Sequence, residues 1–555
     1  MTTVSLGKVA FKWRSTYNPA TTYMKQDVVV YLGSSFVCVL DNTVGVTPSD
    51  AAAAWDLFAQ GTTGISTSSG EILYNNGSGL VALPAGVSGQ VLTVNASGLP
   101  VWATPQVRSA TKVLKLPENA ANTQPNSYRK MGVIMTDGSI RAWGQQSYYL
   151  LGDGTTFSRS YPTRTAFPPT FPGASKLYYW YDMQAACIDA NGQLWLWGNN
   201  DYGSCGNGNL LVTRVPFNAS ADALNSINGK TVIQVALSCG QQNALSTVVL
   251  CSDGTVHSCG YNAYGQLGDG STTSKSRFSQ VPVLANIAQI ASGREALTSY
   301  YAITAAGALY SWGYNGDGQL GDGGTTNATI PVLRTGGSLS GKVITKVFAG
   351  PNYAMAIDSL GNLHAWGTNT TYGNLGNGTV SNQFTPVQSV TGNVADVYIG
   401  QYDYPITYIK KTDNSLWACG AGDYWGNGVT PVGTNTGTFT QISFGGVGIQ
   451  KAIHGGSGSY NFGAALLTNG QVRVWGYNGN GALGVGDVTA RSNASSVALT
   501  GNRTVVDICA YGASSEQGMV MLLDDGQVFA VGFGGGSQLP EDDSETSYTP
   551  MPVVF

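Results

Sequence analysis

Short runs in which apolar and polar residues alternate recur through most of the chain. Gln193-Leu-Trp-Leu-Trp197 and Gln471-Val-Arg-Val-Trp475 are examples, with the two-residue period of a half-buried strand. Each such run follows a turn and closes on a glycine, at Gly144, Gly198, Gly260, Gly313, Gly367, Gly420, Gly476 and Gly532. These glycines are 53 to 62 residues apart, so one supersecondary unit occurs eight times. The turns carry Asp137-Gly138, Asn191-Gly192, Asp253-Gly254, Asn469-Gly470 and Asp525-Gly526, dipeptides that predict type I′ hairpins. Ala306-Gly307 and Leu360-Gly361 keep only the glycine, and Asp413-Asn414 keeps residues that tolerate the left-handed region. A Gly-rich turn such as Gln266-Leu-Gly-Asp-Gly270 follows each hairpin, and then an outer segment such as Ile330-Pro-Val-Leu333. No long helical period intervenes. Antiparallel sheets of this size repeated around an axis predict an all-β fold, a β-propeller of seven or eight blades, eight by hairpin count.

The pattern Gly-x-x-x-x-Trp-Gly-x-Asn-x-x-Gly-Gln-Leu-Gly-x-Gly stands nearly intact at 254–270 and 307–323. It is weaker at Gly203-Ser-Cys-Gly-Asn-Gly208, Tyr424-Trp-Gly-Asn-Gly428 and Gly536-Ser-Gln-Leu-Pro540. This resembles the regulator-of-chromosome-condensation repeat, over roughly residues 110–555. That family usually has seven blades.

The first hundred residues read differently. In residues 1–61, Phe11-Lys-Trp13, Gln26-Asp-Val-Val-Val-Tyr31, Ser35-Phe-Val-Cys38, Pro48 and Trp55 look like a small β-module shared by chitinase-type carbohydrate-binding modules and phage tail proteins. The spacing of these aromatics also suits plain core packing. Asp41-Asn42 replaces the exposed Trp of chitinase-type modules, so an attachment module fits better than a lectin. Residues 62–106 are Gly/Ser-rich, and 71–79 and 89–103 resemble the linker repeats of bacteriophage tail fibres, which wind three chains into a stalk. One chain cannot bury Ile72, Leu73, Val91, Leu92, Val101 and Trp102 in so short a stretch, which predicts an extended stalk and a homotrimer. The competing expectation is a Gly/Ser tether between two domains. Residues 107–555 form the propeller.

Composition narrows the chemistry. Charged residues are 10% of the chain, the net charge is −4 and no Lys/Arg run occurs, which argues against a nucleic-acid partner. The eight Cys include no C-x-x-C pair and the three His are scattered, so neither a metal site nor a cofactor is expected. Cys259 and Cys419 occupy strand positions that hold Trp312 and Trp366 in sister units, and read as small buried apolar groups. No membrane-spanning run or signal peptide is present, so membrane insertion is not expected. His257, His364 and His454 are isolated, and no Gly-x-Ser-x-Gly elbow accompanies them. Asp269-Gly270, Asp322-Gly323 and Asn315-Gly-Asp317 mimic pieces of calcium loops without the terminal Glu. Asp524-Asp525 and Glu541-Asp-Asp543 could serve glycan hydrolysis, but they fall in a turn and a C-terminal segment. The expectation is therefore a protein without enzymatic activity.

Tyrosines recur just upstream of the hairpins: Tyr178, Tyr179, Tyr181, Tyr300, Tyr301, Tyr353, Tyr402, Tyr404, Tyr460 and Tyr511. A class recurring at like places in successive blades collects either on one face or at one packing site. As a face, the first nine are the candidate receptor-binding residues, for a host-surface glycan or protein. With the fibre-like segments, this implies a bacteriophage virion protein, a tail fibre or similar appendage assembled in the host cytoplasm. Its N-terminal module would meet other virion proteins. The alternative, implied by the repeat resemblance, is an adaptor of the guanine-nucleotide-exchange or chromatin-binding type. A depolymerising enzyme on a fibre would need a carboxylate-lined cleft.

Overall fold

The computed structural model describes residues 113–116 and 130–555, apart from 181–182, 240–243, 294–297, 370, 401–404, 423–425, 427–434, 457–459, 502, 514–515 and 535–545. Before 113 it describes the strands given next, with residues 18–22 and 47. The chain forms two compact units, Met1–Ala110 and Thr111–Phe555.

In the first unit, strands Lys12–Thr16, Asp27–Tyr31, Ser34–Cys38 and Trp55–Ala59 make one sheet in chain order, its first pair parallel. Ile72–Asn75 pairs with Leu80–Leu83, and Val91–Val94 with Pro100–Ala103, as two hairpins.

The second unit is an eight-bladed β-propeller. Its four-stranded antiparallel sheets span 113–164, 174–218, 232–280, 287–333, 344–390, 394–442, 449–496 and 505–552, here blades 1 to 8 with strands A to D in chain order. The A strands of blades 2 to 8 touch one another in succession, and strand B of blade 1 meets the A strands of blades 2 and 8. Strand B is sandwiched between neighbouring blades, which is why Gln184–Asp189, Tyr353–Asp358 and Phe462–Leu467 are buried at every position.

One hydrogen bond repeats around the wheel. The first N–H of each A strand donates to the carbonyl at the B–C turn of the blade before it. Examples are Ala174 to Gly138 (2.7 Å), Ile344 to Gly307 (2.9 Å) and Ile449 to Asn414 (2.8 Å). The eighth runs from Val113 to Gly526 at 3.2 Å and joins blade 1 to blade 8. Met131, Val133 and Trp143 of blade 1 pack there on Tyr511, Val520 and Ala530 of blade 8. Eight hairpins thus make eight blades and a closed ring.

The turns differ from the type I′ expected. In all eight, the residue in the Gly position donates its N–H three residues back, as Gly138 does to Met135 at 2.9 Å, and takes a positive φ (Gly138 75°, Asn414 64°). The residue before it keeps a negative φ, so each is a type I turn followed by a left-handed residue. The physical reason lies in Asp137, whose carboxylate accepts from the Ser139 N–H at 2.8 Å, a local cap that suits the type I geometry.

Strand C explains the Trp/Cys exchange. The indole N–H groups of Trp197, Trp312 and Trp366 donate to the carbonyls of Leu150, Gln266 and Gln319 in the preceding blade, at 2.8, 2.9 and 2.7 Å. Where Cys replaces Trp, the thiol reaches the matching carbonyl: Cys259 to Ser204 (3.3 Å) and Cys419 to Asn374 (3.4 Å). Their cross-strand neighbours, Thr247 and Thr407, supply the stronger donor to those same carbonyls, both at 2.8 Å. A buried carbonyl must be satisfied, and a hydroxyl from strand B does it when the indole is missing.

Candidate functional site: the C–D loop face

The loops joining strands C and D all emerge on one side of the wheel. Those of blades 2 to 5 and 7 are each organised by an amide side chain. Asn262 accepts from the Leu267 N–H at 2.9 Å and donates to Asp269, Ser271 and Thr273; Asn200, Asn315, Asn369 and Asn478 do the same in their blades. The calcium-like Asp269 and Asp322 belong to this framework. Asp269 is paired with Lys275 at 2.6 Å, and Asp322 accepts from Asn315 at 3.0 Å and faces Arg334 at 3.6 Å.

With the loops held this way, the residue before the first left-handed glycine projects from the face. It is Tyr202, Tyr264 and Tyr372 in blades 2, 3 and 5, and Asp317 in blade 4. In blade 1 it is Tyr148, 36% exposed, followed by Tyr149 in the glycine slot at φ 60° with the Arg214 guanidinium 5.0 Å over its ring. A second tyrosine precedes the organising Asn at Tyr261, Tyr314 and Tyr477. Across blades 2 to 4 these rings form a ladder. Centroids are 4.8 Å apart for Tyr202–Tyr261, 6.3 Å for Tyr261–Tyr264 and 5.3 Å for Tyr264–Tyr314, with planes inclined by 63° to 75°. Edge-to-face contact holds the rings in place, so their apolar area is already ordered when a partner arrives.

The upstream tyrosines divide sharply. Tyr178, Tyr179, Tyr300, Tyr301 and Tyr353 are at most 3% exposed and pack between blades. The Tyr300 hydroxyl lies 2.8 Å from both Ser238 and Ser246, Tyr301 donates to the Gln319 carbonyl at 2.6 Å, and Tyr353 meets Thr407 at 3.1 Å. Burial pushes the phenol pKa of Tyr179, Tyr300 and Tyr301 up. As a binding face these five are corrected: Tyr178 and Tyr179 on strand A of blade 2, and Tyr300, Tyr301 and Tyr353 on B strands, are buried between blades, and no macromolecule reaches them. Of the expected set, Tyr460 is exposed and meets Tyr477, centroids 5.0 Å apart. Tyr181, Tyr402 and Tyr404 lie outside the described residues.

Two of the three histidines are tethers. His364 links Asp358 (3.3 Å) to Ser338 (2.8 Å), and His257 lies 2.7 Å from Ser226, in the same arrangement two blades earlier. An Asp–His–Ser chain has the composition of a hydrolytic relay, yet the same strand position holds Trp195, Tyr310 and Trp417 in other blades. Both imidazoles are fully buried, each fastening the D–A connection to strand C. Burial holds the His257 pKa down, to about 4. Among the described residues no three His, Cys, Asp or Glu side chains converge as metal ligands. Asp524 and Asp525 sit at a B–C turn, away from this face, and 541–543 lie outside the described residues.

Comparison with known proteins points the same way as the fold. The family model described as "Regulator of chromosome condensation (RCC1) repeat" matches residues 191–245, 253–296 and 306–357, the very blades that carry the ladder. E3 ubiquitin-protein ligase HERC2 of Homo sapiens is 28% identical over 376 residues, 66% of this chain and 7% of HERC2. The ultraviolet-B receptor UVR8 of Arabidopsis thaliana is 28% identical over 249 residues, 44% of this chain and 52% of the receptor. The chain therefore spans a small part of the first relative and about half of the other. Human WBSCR16 superposes with a TM-score of 0.51 at 23% identity, covering 70% of this chain and all of that one (100%). Yeast RCC1 (Prp20), solved with Kap60, gives 0.51 at 18%, covering 75% and 96%. The second unit is thus an eight-bladed β-propeller that carries three matches to the RCC1 repeat.

Proposed function

We propose that the chain is a binding propeller of the regulatory or adaptor kind, whose C–D loop face engages a macromolecular partner. The ordered tyrosine ladder is the observation that carries this reading: half-buried rings stand against one another where the loops of blades 2 to 4 meet solvent, whereas the tyrosines upstream of the hairpins in the same blades are enclosed. The similarity to RCC1-repeat proteins supports a protein partner more than the host-surface glycan of the fibre reading. That second reading rests on resemblances within residues 1–106 and requires three chains per particle, which light scattering of the full-length protein measures. A single-chain mass would remove it.

The face itself is tested by immobilising the full-length protein, exposing it to extract, and comparing it with a Tyr202→Ala/Tyr264→Ala/Tyr314→Ala variant. The variant should lose the proteins retained by the wild type at an unchanged melting temperature. Retention of the same set by the variant would move recognition elsewhere.

A further inference from the structure

The ladder ends on a carboxylate. The Tyr314 ring lies over Gly316, where an added Cβ would fall 1.9 Å from its hydroxyl, and the next residue is Asp317. Asp317 occupies the projecting position that holds tyrosine in blades 2, 3 and 5. It is half-buried, and burial raises its pKa. No described residue forms an ion pair with it, although the neighbouring cations are in use: Lys275 on Asp269 and Arg334 near Asp322. At the far end of the ladder Asp201 precedes Tyr202, exposed and accepting from the Asn199 amide at 2.9 Å. The patch is therefore aromatic along its length and negative at both ends. Pyrrolidine rings pack well against tyrosine rings, and a polyproline-type segment enters such a site with little ordering entropy to lose.

Resting on the binding-propeller reading, we propose that Tyr202, Tyr261, Tyr264 and Tyr314 form a groove for an extended, arginine-bearing, proline-rich segment of a partner protein, with Asp317 receiving a guanidinium. At roughly 3 Å of advance per residue the ladder spans about five residues of such a segment. An arginine at its end stacks on Tyr314 while it bonds to the carboxylate, using both properties of the guanidinium at once. A half-buried carboxylate without a cation favours such a guest more than a solvated one does, because much of its hydration is already gone.

The test is fluorescence anisotropy with the full-length protein and a labelled peptide of three Pro-Pro-Arg repeats. A Pro-Pro-Glu peptide of equal length and a chitin tetrasaccharide serve as competitors. The arginine peptide should bind at least about tenfold more tightly than the glutamate peptide. Tyr264→Ala and Tyr314→Ala should each weaken it about tenfold, and Asp317→Asn about fivefold, with loss of most of the salt dependence. Tyr353→Phe, buried between blades 5 and 6 and outside the ladder, should leave binding unchanged. Equal affinity for the two peptides, or an unaltered Asp317→Asn, would overturn the proposal, as would displacement by the tetrasaccharide. If peptide binding fails while the triple alanine variant still loses its retained proteins, the guest is wrong and the face stands. If neither assay responds, the face is wrong too.

Discussion

Two sets of tyrosines share this propeller and do opposite work. Tyr300, Tyr301 and Tyr353 sit on strand B, enclosed by neighbouring blades, with each hydroxyl bonded to a partner inside the protein. Tyr202, Tyr261, Tyr264 and Tyr314 sit on the C–D loops a short way along the same repeats, and their rings touch mainly one another. The residue type is the same and only the place in the blade differs. A buried tyrosine contributes area and one satisfied hydroxyl to the fold, whereas a loop tyrosine leaves part of its area at the surface.

This division predicts a steep asymmetry in stability. Tyr300→Ala should destabilise the propeller by about 3–5 kcal/mol in denaturant unfolding, because a fully enclosed ring leaves a cavity between blades 3 and 4. The enclosed region also resists charge. His257 has its pKa held at about 4, chiefly by burial and further by Lys230, with Asp253 opposing. The unfolded imidazole titrates near ~6.5. Between those values the unfolded state binds more protons, so stability should fall as pH drops from about 6.5 to 4, by about 2 kcal/mol. His257→Gln should flatten that part of the profile. Removing only the hydroxyl, in Tyr300→Phe, should cost about 1–2 kcal/mol, since Ser238 and Ser246 lose their shared partner. Tyr264→Ala should change stability least, by less than about 1 kcal/mol, while carrying the largest effect on binding. A Tyr264→Ala loss as large as that of Tyr300→Ala would break the comparison.

Much of the architecture was legible in the sequence because glycine spacing is a backbone requirement. The closing glycines, from Gly144 to Gly532, take φ between 95° and 116°, and an added Cβ at Gly198 would meet the Met183 carbonyl at 2.3 Å. That demand survives even where the rest of the motif has decayed, so eight units could be counted. The turn type was not legible, since Asp-Gly serves either hairpin class and the choice depends on loop length and the Asp cap. Nor was the working face. Alternation shows that Tyr300 and Tyr301 point to opposite sides of a strand, but not that both sides are covered by the neighbouring sheets. The signal for the loop set was present: Tyr202 and Tyr264 each directly precede a loop glycine, as Tyr372 does in blade 5. Position relative to the loop glycine, rather than to the hairpin, separates the two sets. The replacement of Trp by Cys at 259 and 419 was legible as burial, but its partner substitution, threonine across the strand, emerges only from the register.

The division of labour is tested most directly by nitrating the folded full-length protein with tetranitromethane and mapping the modified tyrosines by mass spectrometry. Tyr148, Tyr202, Tyr264 and Tyr460 should be modified under native conditions, and Tyr300, Tyr301 and Tyr353 only after unfolding. Native modification of Tyr300 or Tyr301, with the loop tyrosines left silent, would contradict the account.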